Sequence, residues 1–355
     1  MLCLLGLAFF GLQADSGGNL SRHLAGRVWH GFRDYPIVIV LVLIPACLLF
    51  LTSELARWRA RSSPGLQPSA GVRLSRRSFM AATVGGGVAL GYGYKVGRYE
   101  LGLTTRRVGI KGLPPELDGL KVALMADWHC GQHNSQDYLM KAVRLCNSCQ
   151  PDLILVPGDF ISYRIANAPH AAELLAALRP RIKDGLLASW GNHDHWHGLS
   201  AKPELFHGTG VTILTGSSLF LSRQRNIEAS GTGASGLWVA GVDDLWTGTP
   251  DLDVALRGIP EDQPRIVLSH NPDVAEHQPD HRVDLMVSGH THGGQVRIPL
   301  LGAPIVPSSF GQKYAQGWVD GPGYPVFVTR GVGVGGIPIR IGVPPEVVLL
   351  ELHRA

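Results

Sequence analysis

Apolar and polar positions along this chain change character three times. Met1 to Leu12 is apolar but short for a membrane crossing. Tyr35 to Thr52 (YPIVIVLVLIPACLLFLT) carries no charge, and about 18 such residues are enough to cross a bilayer as a helix. Pro45 within it is tolerated in lipid where neighbours satisfy the freed carbonyl. Glu54 to Arg77 is polar and arginine-rich, broken by Pro64 and Pro68, and a weakly apolar, glycine-rich run follows from Ala81 to Tyr94. From Arg98 onward, short apolar runs alternate with helix-like stretches, and Gly and Pro punctuate them.

That last region reads as a soluble domain. Strands are predicted at Val122–Ala126, Leu153–Val156, Leu186–Trp190, Leu237–Ala240, Ile266–Leu268, Val283–Val287, Val326–Thr329 and Val347–Leu352. Helices are predicted at Gln136–Leu145 and Ala171–Leu178. Strand and helix alternate early and strands dominate late, which predicts a layered α/β sandwich. The pattern divides the chain into a membrane region over 1–53, a basic linker and signal-like segment over 54–97, and the soluble domain over 98–355.

Composition supports this division. With 355 residues and 17% charged, the chain can bury a sizeable core and is not disordered. The net charge of +4 is too mild for a nucleic-acid binder, so no nucleic-acid partner is expected. Arg57, Arg59, Arg61, Arg73, Arg76 and Arg77 cluster instead beside the uncharged run, which keeps the linker cytoplasmic. Ser75-Arg76-Arg77-Ser78-Phe79-Met80 before a mild apolar run resembles a signal for the twin-arginine translocase. The alternative is a basic flank to a second membrane helix. Either reading puts everything after about Lys95 outside the cytoplasm, on the far side of a bacterial cell membrane.

Five cysteines, an odd number without a repeated framework, argue against a disulfide scaffold. Cys146-Asn147-Ser148-Cys149 has CxxC spacing, but no second pair exists to complete a zinc site.

Five apolar runs end in polar groups. Lys121–Ala126 leads into Asp127-Trp128-His129, Leu153–Pro157 into Gly158-Asp159, and Leu186–Trp190 into Gly191-Asn192-His193-Asp194. Arg265–Ser269 leads into His270-Asn271, and Asp284–Ser288 into Gly289-His290-Thr291-His292. In α/β sheets, ligands collect beyond the carboxyl ends of strands. Carboxylates, an amide and imidazoles without a thiolate suit Mn, Fe or Zn better than Ca. Two such metals bridged by one carboxylate would generate a nucleophilic hydroxide and clamp a phosphate. The glycines before Asp159, Asn192 and His290 are read as sharp turns beside the cluster.

These blocks, in this order, resemble the calcineurin-like metallophosphoesterase signature from about Leu120 to the C-terminus. The resemblance implies a four-layer α/β/β/α sandwich, here preceded by an N-terminal membrane segment. It implies that Asp127, His129 and His292 hold one divalent metal, that Asn192, His270 and His290 hold a second, and that Asp159 bridges them. His193 would protonate the leaving oxygen and Asp194 would orient His193. Gly293-Gly294-Gln295, Arg330-Gly331-Val332-Gly333, Pro338-Ile339-Arg340 and Pro345-Glu346 are similar to a bacterial membrane-associated, exported branch. That branch includes phosphodiesterases and a UDP-2,3-diacylglucosamine pyrophosphatase. The implied activity is hydrolysis of phosphodiester or pyrophosphate bonds, on lipid-linked or nucleotide-sugar substrates. A phosphomonoesterase of proteins or small molecules is the alternative within enzymes. A non-catalytic membrane-anchored binding module is the alternative outside them, and the presence of His193 argues against it.

Two positions depart from the family pattern: Ser162 stands where a further Asp is common, and Ala126 where Ser is common. His195 and His197 match no ligand position and read as solvated loop residues. His133 is undecided between substrate contact and exposure. Asp243-Asp244 reads equally as a support for the site or as a turn. Trp128 and Trp246 are candidates for an apolar rim, with core packing the default for tryptophan.

Overall fold

A computed structural model of the chain describes residues 76–231 and 235–355. The uncharged run Tyr35–Thr52, the apolar start and the arginine-rich linker before Arg76 lie outside the described residues. Helix α1 (Arg76–Lys95) covers the glycine-rich run. No helix among the described residues is long and apolar enough to cross a membrane. That gives no support to the alternative reading of Ala81–Tyr94 as a second membrane helix. Gly85, Gly86, Gly87, Gly91 and Gly93 stand where a spanning helix would carry apolar side chains.

The chain divides after Val84, and the second unit, Gly85–Ala355, holds the sheets. Its elements after α1 are β1 (Gly102–Ile110), β2 (Leu120–Leu124), α2 (Gln136–Ser148), β3 (Leu153–Pro157), α3 (Ala168–Ala177), β4 (Leu186–Ser189) and α4 (Asn192–Trp196). There follow β5 (Val211–Ile213), β6 (Ser217–Ser222), β7 (Ile227–Glu228), β8 (Gly236–Gly241), α5 (Leu252–Leu256), β9 (Arg265–Leu268), β10 (Leu285–Ser288), β11 (Gly317–Asp320), β12 (Pro325–Val328) and β13 (Glu346–Arg354).

One sheet has the order β1-β13-β2-β3-β4-β5 and the other β11-β12-β10-β9-β8-β6-β7. β2 to β5 run parallel, as do β8, β9, β10 and β12. The final strand β13 inserts between β1 and β2, antiparallel to β2.

Alternation along each strand sends side chains to opposite faces. Val122, Leu124, Leu153, Leu155 and Leu187 of one sheet meet Leu237, Val239, Ile266, Leu268, Leu285 and Val287 of the other. Their neighbours Ala123, Ile154, Val156 and Ala188 face outward onto Leu139 and Val143 of α2 and Leu174 and Leu175 of α3. Ala240, Val267, Met286 and Val326 pack outward against Leu252 and Leu256 of α5 and against Val274. The layers are therefore helices, sheet, sheet and a thin outer cover. Strands buried on both faces read as continuous apolar runs, which is why they are legible.

Local chemistry starts α2: the Ser135 side chain accepts the Tyr138 N–H, and Asp137 sits at the positive end of the helix. Tyr138, Leu139, Ala142, Val143 and Cys146 form its buried face. Cys146 thus belongs to the core, and Cys130, Cys146 and Cys149 are all free thiols. β1 escaped the sequence pattern because its outer positions include exposed Thr105, Arg106 and Arg107.

Candidate active site

β2, β3, β4, β9 and β10 deliver their polar sequels to one place. His129 Nε2 lies 2.9 Å from His292 Nε2 and 3.4 Å from Asp159 Oδ2. Asp127 Oδ1 completes this set at 3.9 Å from His292 Nε2. On the other side of Asp159, His270 Nε2 lies 3.3 Å from Oδ2 of that carboxylate. His270 Nε2 is also 3.0 Å from Asn192 Oδ1 and 3.1 Å from His290 Nδ1. All seven expected ligands are brought together, with the Asp159 carboxylate between the two sets. All seven are buried.

The backbone is bent to achieve this. Asp127 (φ 58°), His129 (46°), Asp159 (58°), His290 (70°) and His292 (51°) all occupy the left-handed region. Residues with a Cβ rarely do so, at a cost of order 1–3 kcal/mol each. A fold that concentrates this strain on its ligand-bearing residues holds them for their side chains.

The glycines beside them divide in role. Gly158 has φ +72°, as a sharp turn requires, whereas Gly191 and Gly289 have no left-handed backbone. A Cβ at Gly191 would strike the Asp159 carboxylate, and one at Gly289 would approach Asp127 Oδ2 to 2.7 Å. The expectation of three sharp turns is corrected: two of these glycines make room for a carboxylate.

Second contacts aim the rings. His270 Nδ1 donates to Pro157 O at 2.7 Å, and His129 Nδ1 lies 2.6 Å from Ser162 Oγ. In each ring, a proton at Nδ1 leaves the Nε2 lone pair facing the cluster. The buried Arg340 guanidinium lies 3.3 Å from His292 Nδ1 and donates to the carbonyls of Arg330, Gly331, Gly333 and Val343. Asn134 clamps His129 O and both backbone groups of Val334. The sequence marks neither Asn134 nor the guanidinium of Arg340 as part of the site's scaffold, because most of their partners are backbone atoms, which carry no signal in residue type.

Burial pushes His129 down to about 3, and it holds His290 and His292 well below the ordinary histidine value. Burial raises Asp127 to about 7. Burial also opposes charge on Asp159, but His270, His193 and His129 outweigh it and hold that carboxyl well below its usual range. For His270, burial is overcome by Asp159, and its value rises to about 10. The pocket therefore supplies neutral imidazole donors and favours positive charge beside Asp159.

These residues fit divalent cations. Two donors bound to one ion at about 2.0–2.1 Å stand roughly 3 Å apart, as the facing nitrogens of His129 and His292 and of His270 and His290 do. A Cβ at Gly335 would lie 2.9 Å from Nε2 of both His129 and His292, so this glycine keeps a small space open before them. Asp127, His129 and His292 form one group that could hold an ion, and Asp127, Asp159 and His270 form another. His193 comes within the same reach of His129 and Asp159.

Its ring packs edge-on to His129 at 4.6 Å, and its backbone N–H donates to Asp159 Oδ1 at 2.9 Å. Asp194, expected to orient His193, serves the backbone of the loop before it. Its carboxylate accepts the backbone N–H groups of Asp159, Phe160, Ile161 and Gly191. It fixes the loop that carries Asp159, because four orphaned donors converge where it is buried.

His195 is not a solvated bystander. Its Nε2 lies 2.7 Å from Asp243 Oδ1 and its Nδ1 2.9 Å from Ser200 Oγ. Asp244 is buried and accepts from the backbone of Trp246 and Thr247, so Asp243-Asp244 is both a turn and a support. His133 packs edge-on to Tyr163, whose ring is 6.4 Å from His197, itself 5.7 Å from His193. These rings form a wall beside His193. Trp128 is a core residue against Phe160, whereas Trp246 is half-exposed and edge-on to His290 at 4.3 Å. The rim partner that the sequence did not single out is Trp196, exposed and 6.4 Å from Trp246.

The calcineurin-like phosphoesterase family matches residues 120–294. The chain is 30% identical to the uncharacterized metallophosphoesterase YkuE of Bacillus subtilis, over 79% of this chain and 98% of that protein. It is 31% identical to the phosphodiesterase YaeI of Escherichia coli, over 79% of this chain and 99% of that protein. It is 28% identical to a transmembrane protein with metallophosphoesterase domain of Danio rerio, over 90% of this chain and 72% of that protein. The chain belongs to the calcineurin-like metallophosphoesterases, enzymes that hydrolyse phosphoric esters.

Proposed function

We propose that this enzyme cleaves phosphodiester or pyrophosphate bonds, using two divalent cations, on amphiphilic substrates at the outer face of a bacterial cell membrane. The observation that carries the two-metal reading is the Asp159 carboxylate, which faces His129 on one side and His270 on the other. Asp127, His129 and His292 would hold one cation and Asn192, His270 and His290 the other, with Asp159 shared. The mixed oxygen and nitrogen donors suit Mn, Fe or Zn. When bound, such cations supply an activated water nucleophile and withdraw charge from the phosphoryl group.

The chain's own groups do the rest. His193 stands at the edge of the donor cluster and carries the proton that the leaving oxygen needs. Asp194 keeps Asp159 in place through the backbone. Trp196 and Trp246 form an apolar rim that favours substrates with an apolar portion. A diester preference is supported by the likeness to YaeI, a phosphodiesterase by name. Placement at a membrane is supported by the uncharged Tyr35–Thr52 run and by the Danio rerio relative, named as a transmembrane protein. Arg76-Arg77 would route the domain outward through the twin-arginine translocase.

The test uses the full chain with bis-p-nitrophenyl phosphate and p-nitrophenyl phosphate, with Mn and after chelation. Diester hydrolysis that chelation abolishes and Mn restores is the expected result. Undiminished activity after chelation would overturn the metal reading, and hydrolysis of the monoester alone would overturn the diester reading.

A further inference from the structure

The segment that leaves the His290–His292 turn carries an apolar hairpin that the fold leaves uncovered. Ile298 and Gly302 exchange backbone hydrogen bonds of 2.8 and 2.9 Å, and Leu301 N–H closes the turn onto Ile298 O at 3.2 Å. Pro299 and Leu300 occupy the corners. Leu300 has φ 69°, in a corner that turns of this kind normally give to Gly or Asn. Its side chain is fully exposed and that of Leu301 is 71% exposed. A leucine here is unfavourable twice over, in backbone conformation and in solvation, and glycine would relieve both. Such a residue is retained where the leucine has an apolar phase to enter.

The surroundings indicate which phase. From Leu285 to Val319 the chain has no Asp or Glu. Exposed Arg297 stands at the base of the hairpin, beside a cleft of about 280 Å³ walled by Ile298, Pro299, Leu300, Gly302 and Gly342. Ile305 and Phe310, further along the same segment, are also exposed. Aliphatic side chains at a loop tip, a guanidinium behind them and no carboxylate of the segment's own match the boundary of an anionic bilayer; the carboxylates that reach the segment from elsewhere are engaged, Asp273 by Ser308 and Ser309 and Glu276 by Lys313 and Tyr314. There the leucines enter the acyl region and the arginine stays at the phosphates. Gln295, between this hairpin and His292, hydrogen-bonds to both backbone groups of Gly335, the glycine facing His129 and His292.

We propose that the Arg297–Gly302 hairpin seats in the surface of a lipid bilayer and presents the donor cluster to phosphate esters held there. The second half of this statement rests on the phosphoesterase reading above; the first does not.

The experiment places a photoreactive benzophenone amino acid at position 300 of the full chain. The protein is reconstituted in vesicles of phosphatidylglycerol and phosphatidylethanolamine and then irradiated. The control carries the same group at position 183, where exposed Lys183 precedes β4 at the edge opposite the site. A lipid adduct at 300 about tenfold above that at 183 is expected, given the free energy of burying a leucine. Adducts to a second copy of the chain, or none above the control, would overturn the proposal. A second arm combines Leu300→Gly, which eases the turn, with Leu301→Ser. Hydrolysis of a vesicle-borne phosphodiester lipid should fall about tenfold more than that of bis-p-nitrophenyl phosphate. An equal fall in both would overturn the link between hairpin and substrate. A parent enzyme that cleaved neither substrate would count against the activity alone, because the adduct still reads the hairpin.

Discussion

Ser162 Oγ lies 2.6 Å from His129 Nδ1, and both residues are buried. Ser162 stands where the family pattern commonly has a further Asp, so this chain orients the His129 imidazole with a neutral partner. Such partners fix ring and tautomer, and removing one typically weakens metal binding 10–100-fold. Ser162→Ala should lower Mn affinity by about that range, while Ser162→Asp should retain binding. Titration calorimetry on the metal-stripped protein checks this; parent-like affinity in the alanine variant would remove Ser162 from the site.

Gly335→Ala addresses the same donor set by steric means. The added methyl would stand 2.9 Å from both His129 Nε2 and His292 Nε2. Its backbone has no left-handed φ to oppose the substitution. We expect metal content to drop by about one ion per chain, since a methyl would fill one of two proposed positions. Melting measured on the metal-stripped proteins should differ little, and elemental analysis of the reconstituted variant reads the loss.

His193 and His197 are neighbours with rings 5.7 Å apart, but only His193 abuts His129. General acid catalysis is worth about 10²–10⁴-fold. His193→Ala should therefore reduce kcat by that order with metal content retained, and His197→Ala should reduce it far less. Equal losses in steady-state assays would cancel the assignment of His193 as the acid.

The His195–Asp243 pair gives a pH signature. The hydrogen bond that His195 donates to the Asp243 carboxylate raises His195 above the ordinary histidine value. Burial alone would raise Asp243, but the His195 hydrogen bond prevails and holds it below the ordinary carboxylate value. The histidine's contribution is complete below about pH 6.5 and is lost as pH rises through its raised value. The carboxylate's contribution is complete above about pH 4 and is lost as pH falls through its lowered value. Asp243→Asn should thus be less stable than the parent by about 0.2–1 kcal/mol between these limits, with the gap closing at alkaline pH. Thermal melts across pH decide it, and a gap that widened toward alkaline pH would refute the pairing.

The central strands and the ligand set were legible in the sequence for one reason. Buried parallel strands must be continuously apolar, and a polar cluster directly after one has no place in a core. Asp127, Asp159, Asn192, His270 and His290 follow that rule, and the order of these blocks carries the family resemblance that implies their role as ligands. Edge strand β1 was not legible, because Arg106 and Arg107 face solvent and break the apolar run. The alternative of a spanning helix over Ala81–Tyr94 gains no support, since glycine adds length without much hydropathy.

Tertiary structure alone decided which group serves which. Asp194 is three residues from Gly191 yet holds the backbone of Asp159, more than thirty residues away. Arg340 reaches His292, 48 residues away, through a fold of the chain that no periodicity encodes. Trp128 and Trp246, equal candidates as letters, separate into core and rim because one follows a central strand and the other a surface turn. The sequence by itself determined which donor types the site has to offer, since ligand chemistry belongs to residue type. Support and access depend on distances between segments remote in the chain, and only packing sets those distances.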